Sequence, residues 1–301
     1  MAGAWIAIDW GTSNFRAWLI NDKDVLDKRS ANCGLLHVGQ GQFDATLKTL
    51  LGDWLTHAAP VIVMAGMVGS QQGWHDVDYC PIPAGVDSLI SRSKYFITSW
   101  GSEAWIIPGL RQSSSGEIPD VMRGEEVQLL GLALLAGLDD FQAILPGTHS
   151  KHARVRQRQV TDFSTYMTGE LYHLLLAHSL LGRALPEAVE DESAFLRGVN
   201  VARRDQPLSQ LLFSARTLRL SGELPASSVG DYLSGLLMGA EFTTDYSGQI
   251  WLVGSAALTR RYQLAATACG VQTRCIDGDR CFIAGMQSLQ HQLTEKRNGQ
   301  F

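Results

Sequence analysis

Asp9 closes an apolar run, Ile6-Ala7-Ile8, and is followed by Trp10 and then Gly11-Thr12-Ser13-Asn14 before a second apolar run extends from Phe15 to Ile20. This pattern predicts a strand, a tight turn and an antiparallel strand. The turn carries the chemistry. Gly11 lets the backbone approach a ligand with no Cβ in the way, and Thr12 and Ser13 set hydroxyl donors beside backbone N–H groups, a concavity suited to phosphate. Asp9, at the strand end, suits a hydrated Mg2+ over the same phosphates, because Mg2+ prefers oxygen ligands and keeps several waters. Taken alone, the stretch reads equally well as a hairpin with a surface aspartate.

A second copy shifts the balance. Phe141 to Gly147 is again an apolar strand entering a turn, Gly147-Thr148-His149-Ser150, followed by the strand-like runs His152 to Arg156 and Val160 to Ser164. In both copies a polar turn follows the Gly-Thr pair, Asn21 to Asp24 in the first and Arg156 to Gln159 in the second. The chain is therefore read as a duplicated domain. Two such hairpins facing each other would grip a polyphosphate from both sides. This order resembles the superfamily of sugar kinases, actin and heat-shock chaperone ATPases. The resemblance implies an α/β fold of two actin-like (ribonuclease H-like) ATPase domains flanking an interdomain cleft, residues 1–138 and 139–301. The first would bind the acceptor and carry one phosphate hairpin, the second the other hairpin and the adenosine site, with the last helix packing back at the hinge.

The remaining pattern is read as positioning for these turns. Phe43 to Ala58 has apolar residues at spacings of three and four and predicts an amphipathic helix, and Val61 to Met64 a buried strand. That strand enters a glycine-punctuated loop, Ala65 to Trp74, in which Gln71 and Trp74 are candidates for binding hydroxyls and a carbon face; a plain connector is the alternative. Tyr79 to Gly85 reads as irregular chain, Trp105 to Ile107 as a strand, and Pro108 to Pro119 as a linker rich in Ser, Gly and Pro. Glu125 to Leu138 predicts a helix apolar nearly all round, with Gly131, Ala133, Ala136 and Gly137 allowing a close helix crossing. It opens on two carboxylates. Glutamates in a first turn ordinarily complement the helix dipole. In the sugar kinases that this chain resembles, a segment of the G-D-Q-Q type opens a helix at this place and its carboxylate takes the proton of the attacking hydroxyl. The resemblance gives that role to Glu125, with Glu126 as the rival.

Thr165 to Leu181 and Asp231 to Glu241 also predict helices, the latter with Gly235 and Gly239 as a close-packing stripe. His149 and His152 make a weak zinc signal, His173 and His178 are read as packing residues, and Lys151 as a cation facing phosphate or solvent. Gln249 to Leu258 is a strand ending in Gly254-Ser255 with a helix behind it; in the superfamily this turn packs on adenosine, although Val253 stands where a first glycine is usual. Phe282 to Leu293 is the last expected helix, with a frayed tail from Glu295 to Phe301.

The 301 residues can hold two cores, and 45% hydrophobic with 18% charged residues is ordinary for a compact protein. A formal charge of −5 and a pI near 5.9 offer no basic field for nucleic acid or anionic membrane. Five scattered cysteines, with no C-x-x-C pair, suit reduced thiols in the cytoplasm. No run has the length and hydropathy of a membrane span or a leader.

The runs Ala7 to Trp18, Ala65 to Ser70, Leu145 to Lys151 and Tyr166 to Glu170 together resemble the 2-dehydro-3-deoxygalactonokinase family of sugar kinases. That resemblance implies phosphorylation of a keto-deoxy sugar acid on its 6-hydroxyl by ATP with Mg2+, in galactonate breakdown; the sequence leaves the oligomeric state open, a homodimer included. It gives Gly11, Thr12, Gly147, Thr148 and Lys151 to the phosphates, Gly254 and Ser255 to the adenosine, Asp9 to the metal and Glu125 to proton removal. An acceptor carboxylate is best met by arginine. Arg16 is the first candidate and Arg123 the second, with Ser13, Gln71 and Trp74 around the sugar; a solvated surface charge is the alternative for either arginine. Two rival readings are a phosphohydrolase of the same superfamily and a non-catalytic nucleotide switch.

Overall fold

The computed structural model describes residues 3–39, 41–55, 59–113, 118–242, 246 and 248–298. The chain forms two units. One comprises Met1–Asp140, Arg154–Phe163 and Gly278–Phe301, the other Phe141–Ala153 and Ser164–Asp277.

In the first unit, β1 (Trp5–Trp10), β2 (Phe15–Asn21) and β3 (Asp24–Ala31) form an antiparallel meander, α1 (Phe43–Leu51) follows, and β4 (Val61–Gly66) lies parallel to β1. The central strand β1 is buried almost throughout, as expected where both faces of a sheet are covered, whereas the charged strand β3 is largely exposed. Trp10 packs edge-on to Phe15 and to Phe43 of α1, with ring centroids 5.1 and 5.3 Å away. The helix expected from Phe43 to Ala58 stops at Leu51, because Gly52 takes φ +50° and turns the chain into a short 3-10 segment; residues 56–58 lie outside the described residues.

Beyond β4 come β5 (Cys80–Pro81), α2 (Val86–Arg92), β6 (Lys94–Ile97), β7 (Glu103–Ile106), β8 (Leu110–Gln112), β9 (Asp120–Met122) and α3 (Glu125–Ala136). The large sheet has the order β3-β2-β1-β4-β7-β6, and a small one β5-β8-β9. The small sheet corrects two expectations: strands occur in the stretch read as irregular chain and in the one read as a linker. Strands of two and three residues are too short to show a period of two, and their pairing, Cys80 with Leu110 and Leu110 with Met122, is made by backbone. Residues 114–117 of the expected linker lie outside the described residues.

The second unit repeats the plan. It contains β10 (Phe141–Leu145), β11 (Ser150–Arg156) and β12 (Gln159–Tyr166), although the far part of the β11–β12 hairpin belongs to the first unit. Then follow α4 (Thr168–His178), α5 (Glu192–Ala202), α6 (Leu208–Leu220), α7 (Val229–Glu241), β13 (Ile250–Gly254), α8 (Ala256–Ala268) and β14 (Thr273–Asp277). The sheet order β12-β11-β10-β13-β14 matches β3-β2-β1-β4-β7 strand for strand, with the last three parallel in each. The helix expected from Thr165 begins at Thr168, because β12 runs on to Tyr166, and it ends at His178. α5 and α6 lie where no element was expected from the sequence. α5 crosses α7 at bare backbone: a Cβ on Gly235 would lie 1.9 Å from the Phe195 carbonyl oxygen.

The last helix, α9 (Gly278–Asn298), belongs to the first unit and is longer than the expected Phe282 to Leu293. It crosses α3 where a Cβ on Gly131 would lie 1.7 Å from the Cys281 carbonyl oxygen and one on Gly285 2.1 Å from that of Val127. Helix persists through most of the tail expected to fray; residues 299–301 lie outside the described residues.

Candidate active site

In the first unit, parallel pairing brings the carboxyl ends of β1 and β4 side by side, with Asp9 opposite Ala65 and Trp10 opposite Gly66. Ligand sites of α/β sheets form at this end. Gly66 sits at φ +94° with no room for a side chain, since a Cβ would lie 2.7 Å from the Trp10 carbonyl oxygen and 3.3 Å from Asp9 Oδ1. Gly124, one residue before α3, would set a Cβ 3.5 Å from Gly66 Cα and 3.8 Å from Asp9 Oδ1. Two strand ends and a helix start therefore meet at bare backbone around the Asp9 carboxylate.

Asp9 accepts a hydrogen bond from Arg16, its neighbour across the hairpin, and Arg16 also donates to Asp279 of α9 over 2.5 Å. Burial pushes the Asp9 carboxyl up from its ordinary range, and the Arg16 guanidinium opposes that shift. Arg16, the first candidate for an acceptor carboxylate, thus stands between two carboxylates of its own chain.

The turn itself is fastened from behind. Gly34, Leu35 and Leu36 donate their N–H groups to the carbonyl oxygens of Ser13, Gly11 and Thr12. Among the described residues no backbone acceptor takes the N–H of Thr12 or Ser13, and both residues are exposed. Gly34 is required there, because a Cβ would come within 2.4 Å of the Thr12 and Ser13 backbone.

At the start of α3 the two glutamates part company. Glu125 is half-buried and its Oε2 accepts from the Arg123 N–H at 3.1 Å. Glu126 is 2% exposed, accepts from the Gly124 N–H, and lines a small cavity with Leu110, Leu129, Ala133, Val155 and Val160. Burial first, and then the neighbouring Glu125, push its carboxyl up to about 8. Glu126 is therefore a neutral carboxylic acid at pH 7 in an apolar setting, and Glu125 is the more accessible member of the pair.

Arg123 is 9% exposed. Its guanidinium donates from Nη2 to the Val77 carbonyl oxygen at 2.9 Å and stacks 4.2 Å from the Tyr79 ring centroid, while Nε and Nη1 find no hydrogen-bond partner among the described residues. A Cβ on Gly69 would lie 2.9 Å from Nη1, so the glycine-punctuated loop after β4 passes directly over it. In that loop Gln71 is exposed, and Trp74 is half-buried, stacked on His75 and edge-on to Phe96.

The second unit holds the other hairpin. Its turn, Gly147-Thr148, abuts the start of α4: Glu170 donates its N–H to the Thr148 carbonyl oxygen, and a Cβ on Gly169 would lie 2.6 Å from the Gly147 carbonyl oxygen. A helix N-terminus beside a Gly-Thr turn favours anions. Gly254 lies at the end of β13 beside the same turn, since its Cβ position is 3.8 Å from Pro146 Cδ, and Ser255 stands at the N-cap position of α8 without a side-chain capping bond and is exposed. Lys151 is 5% exposed with Nζ donating to Thr165 Oγ1 at 2.8 Å, so of the two alternatives for this cation, facing phosphate or solvent, the solvent one is corrected. His149 pairs with Glu170 at 2.5 Å and His152 with Glu241 at 2.7 Å, and no metal-holding group of three His, Cys, Asp or Glu occurs among the described residues.

Within the first unit the structure brings together Asp9, Gly11, Arg16, Gly124 and Glu125, and within the second Gly147, Thr148, Gly254 and Ser255. Sequence reasoning missed Gly34, Gly66 and Asp279, and it gave no role to Glu241. A glycine at a strand end was the available signal for Gly66.

The profile of the 2-keto-3-deoxy-galactonokinase family matches residues 9–289. A 2-dehydro-3-deoxygalactonokinase of Escherichia coli (strain K12) is 40% identical over 97% of this chain and 99% of its own length. A crystal structure of a Sinorhizobium meliloti protein, provisionally named a 2-dehydro-3-deoxygalactonokinase, superposes with a TM-score of 0.87 at 32% identity, covering 96% of this chain and 99% of that one. The activator of 2-hydroxyisocaproyl-CoA dehydratase from Clostridium difficile, solved with ADPNP, shares the fold at 10% identity, with a TM-score of 0.52 over 98% and 97% of the two chains. The fold class expected from the duplicated hairpins, α/β with repeated actin-like domains, is the one found. With a matching profile across nearly its whole length and relatives of this similarity, the chain belongs to the 2-keto-3-deoxy-galactonokinase family.

Proposed function

We propose that the protein transfers the γ-phosphoryl group of ATP to the 6-hydroxyl of 2-dehydro-3-deoxy-D-galactonate, giving the 6-phosphate and ADP, within cytoplasmic galactonate breakdown. The observation that carries the acceptor assignment is Arg123. A buried guanidinium with Nε and Nη1 unpartnered pays for desolvation unless a ligand arrives, and a carboxylate oxygen is the acceptor that offers such donors a charge-assisted hydrogen bond. Ser13, Gln71 and Trp74 are assigned to the hydroxyls and carbon face of the same acid.

Phosphoryl transfer depends mainly on positioning and on neutralising charge. Glu125 orients the 6-hydroxyl and takes its proton as the oxygen–phosphorus bond forms and the bond to the bridging oxygen of ADP breaks. Its neighbour Glu126, held neutral by burial, adds no second negative charge beside the incoming phosphates. Gly11, Thr12, Gly147, Thr148 and Lys151 are assigned to phosphates, and Gly254 and Ser255 to the adenosine. The residues around Asp9 fit Mg2+, because a single carboxylate oxygen, Oδ1, faces backbone left bare by Gly66 and Gly124, and Mg2+ needs few protein ligands when phosphates and water supply the rest. When bound, the ion neutralises charge developing on the phosphates.

An ADP-release assay with Mg-ATP tests the proposal in three arms: no acceptor, 2-dehydro-3-deoxygalactonate, and its gluconate-derived epimer. Turnover confined to the galactonate-derived acid is expected. Equal release without acceptor would make the protein a hydrolase, and silence in every arm would remove the kinase reading.

A further inference from the structure

Glu241 is the last residue of α7, where a negative charge opposes the helix dipole, and it is 1% exposed. A carboxylate is tolerated there only if donors replace the lost water. Four do. Thr168 and Tyr262 donate to Oε1, the latter at 2.6 Å, while Ser150 Oγ and His152 Nε2 meet Oε2, each at 2.7 Å. Four donors match the four lone-pair positions of the two carboxyl oxygens. Burial, with Glu241 alongside, raises the Tyr262 hydroxyl far above its ordinary range, so it stays a donor. His152 is held in turn by the Tyr246 hydroxyl, 2.5 Å from Nδ1, and that hydroxyl reaches the Glu241 carbonyl oxygen at 3.2 Å.

The donors are distributed with a pattern. Ser150 closes the Gly147-Thr148 turn and, with His152, opens β11; Thr168 begins α4, whose N-terminus abuts that turn; Tyr262 lies in α8, which starts from Gly254-Ser255. We infer that Glu241 is a positioning residue for the nucleotide, a buried hub that fixes the phosphate turn, the α4 N-terminus and the adenosine turn relative to one another. The inference rests on the assignment of these turns to ATP. None of the elements joined by Glu241 carries a residue assigned to the sugar acid, so its effect falls on one substrate.

The test measures binding of a non-hydrolysable ATP analogue by calorimetry, together with KM for ATP and for the sugar acid, in wild type, Glu241→Gln and Tyr262→Phe. Glutamine keeps the shape but turns one oxygen into a donor that faces two others, and should weaken analogue binding about tenfold or more. Tyr262→Phe, which removes one donor of the four, should weaken it about threefold. In both, KM for the sugar acid should stay within about twofold of wild type. Unchanged analogue binding in Glu241→Gln, or a parallel rise of both KM values, would overturn the inference. Should Glu241→Gln fail to fold, Tyr262→Phe decides by the same criteria. Wild type that binds no nucleotide would instead overturn the assignment of the turns, which separates the two failures.

Discussion

The two hairpins share one loop and differ at its flanks. Gly11-Thr12 and Gly147-Thr148 lie 136 positions apart, and that offset places Asp9 against Leu145 and Arg16 against His152. In the first unit the strand before the turn carries, one residue from its end, a carboxylate that an arginine holds. In the second the same position is a buried leucine, and the strand after the turn directs Ser150 and His152 inward onto Glu241. One copy carries an ion-paired carboxylate beside its Gly-Thr turn, while the other directs polar residues into a buried network. The proposed division of labour follows: the first unit does the chemistry on the acceptor, and the second presents the nucleotide.

The strongest way to break this contrast is to remove the assigned base. Glu125→Gln should lower kcat by about 10²- to 10⁴-fold with both KM values little changed, measured by ADP release; full activity would return the role to Glu126 or to neither. Next in size is Arg123→Ala, which should raise KM for the sugar acid about 10- to 100-fold while KM for ATP holds, the loss expected for a charge-assisted carboxylate contact.

A third prediction concerns stability. The folded Glu126 carboxyl is raised to about 8 from an ordinary 4.5, so between those values the folded state binds the extra proton. Its contribution to stability is therefore lost progressively as pH rises through that window, by up to a few kcal/mol, on the order expected from a shift of this size. Glu126→Gln should flatten the dependence of the unfolding free energy on pH there, read by denaturant titration; an unchanged slope would show that Glu126 ionises at its ordinary value. The smallest effect is assigned to Arg16→Ala. With Arg16 engaged by Asp9 and Asp279, KM for the sugar acid should change by less than about threefold. A larger effect than that of Arg123→Ala would exchange the roles of the two arginines.

Much of this was legible in the residues because it is local. A Gly-Thr turn between apolar runs declares itself within a dozen positions, and its recurrence declares the duplicated sheet. The helix opening on Glu125-Glu126 was equally plain, with Gly131 marking a close crossing. What stayed hidden depends on distant partners. Arg16 reads as an available cation until Asp279, from the last helix, is set against it. Glu241 reads as a helix-terminal charge until four donors from three other elements converge on it. The small β5-β8-β9 sheet was hidden for another reason: its strands are too short for any period, and backbone pairing leaves no mark on side-chain types.

The backbone contact between Gly131 of α3 and Cys281 of α9 has a consequence for how the molecule is made. Chain for the second unit is complete once residue 277 has been synthesised, yet the first unit still lacks α9. Until translation passes residue 298, the face of α3 that carries Gly131 has no partner. The unit made first is therefore finished last, contrary to the usual N-to-C order of domain folding. A nonsense mutation that removes only the final helix should leave the second unit able to fold and the first unit exposed to aggregation.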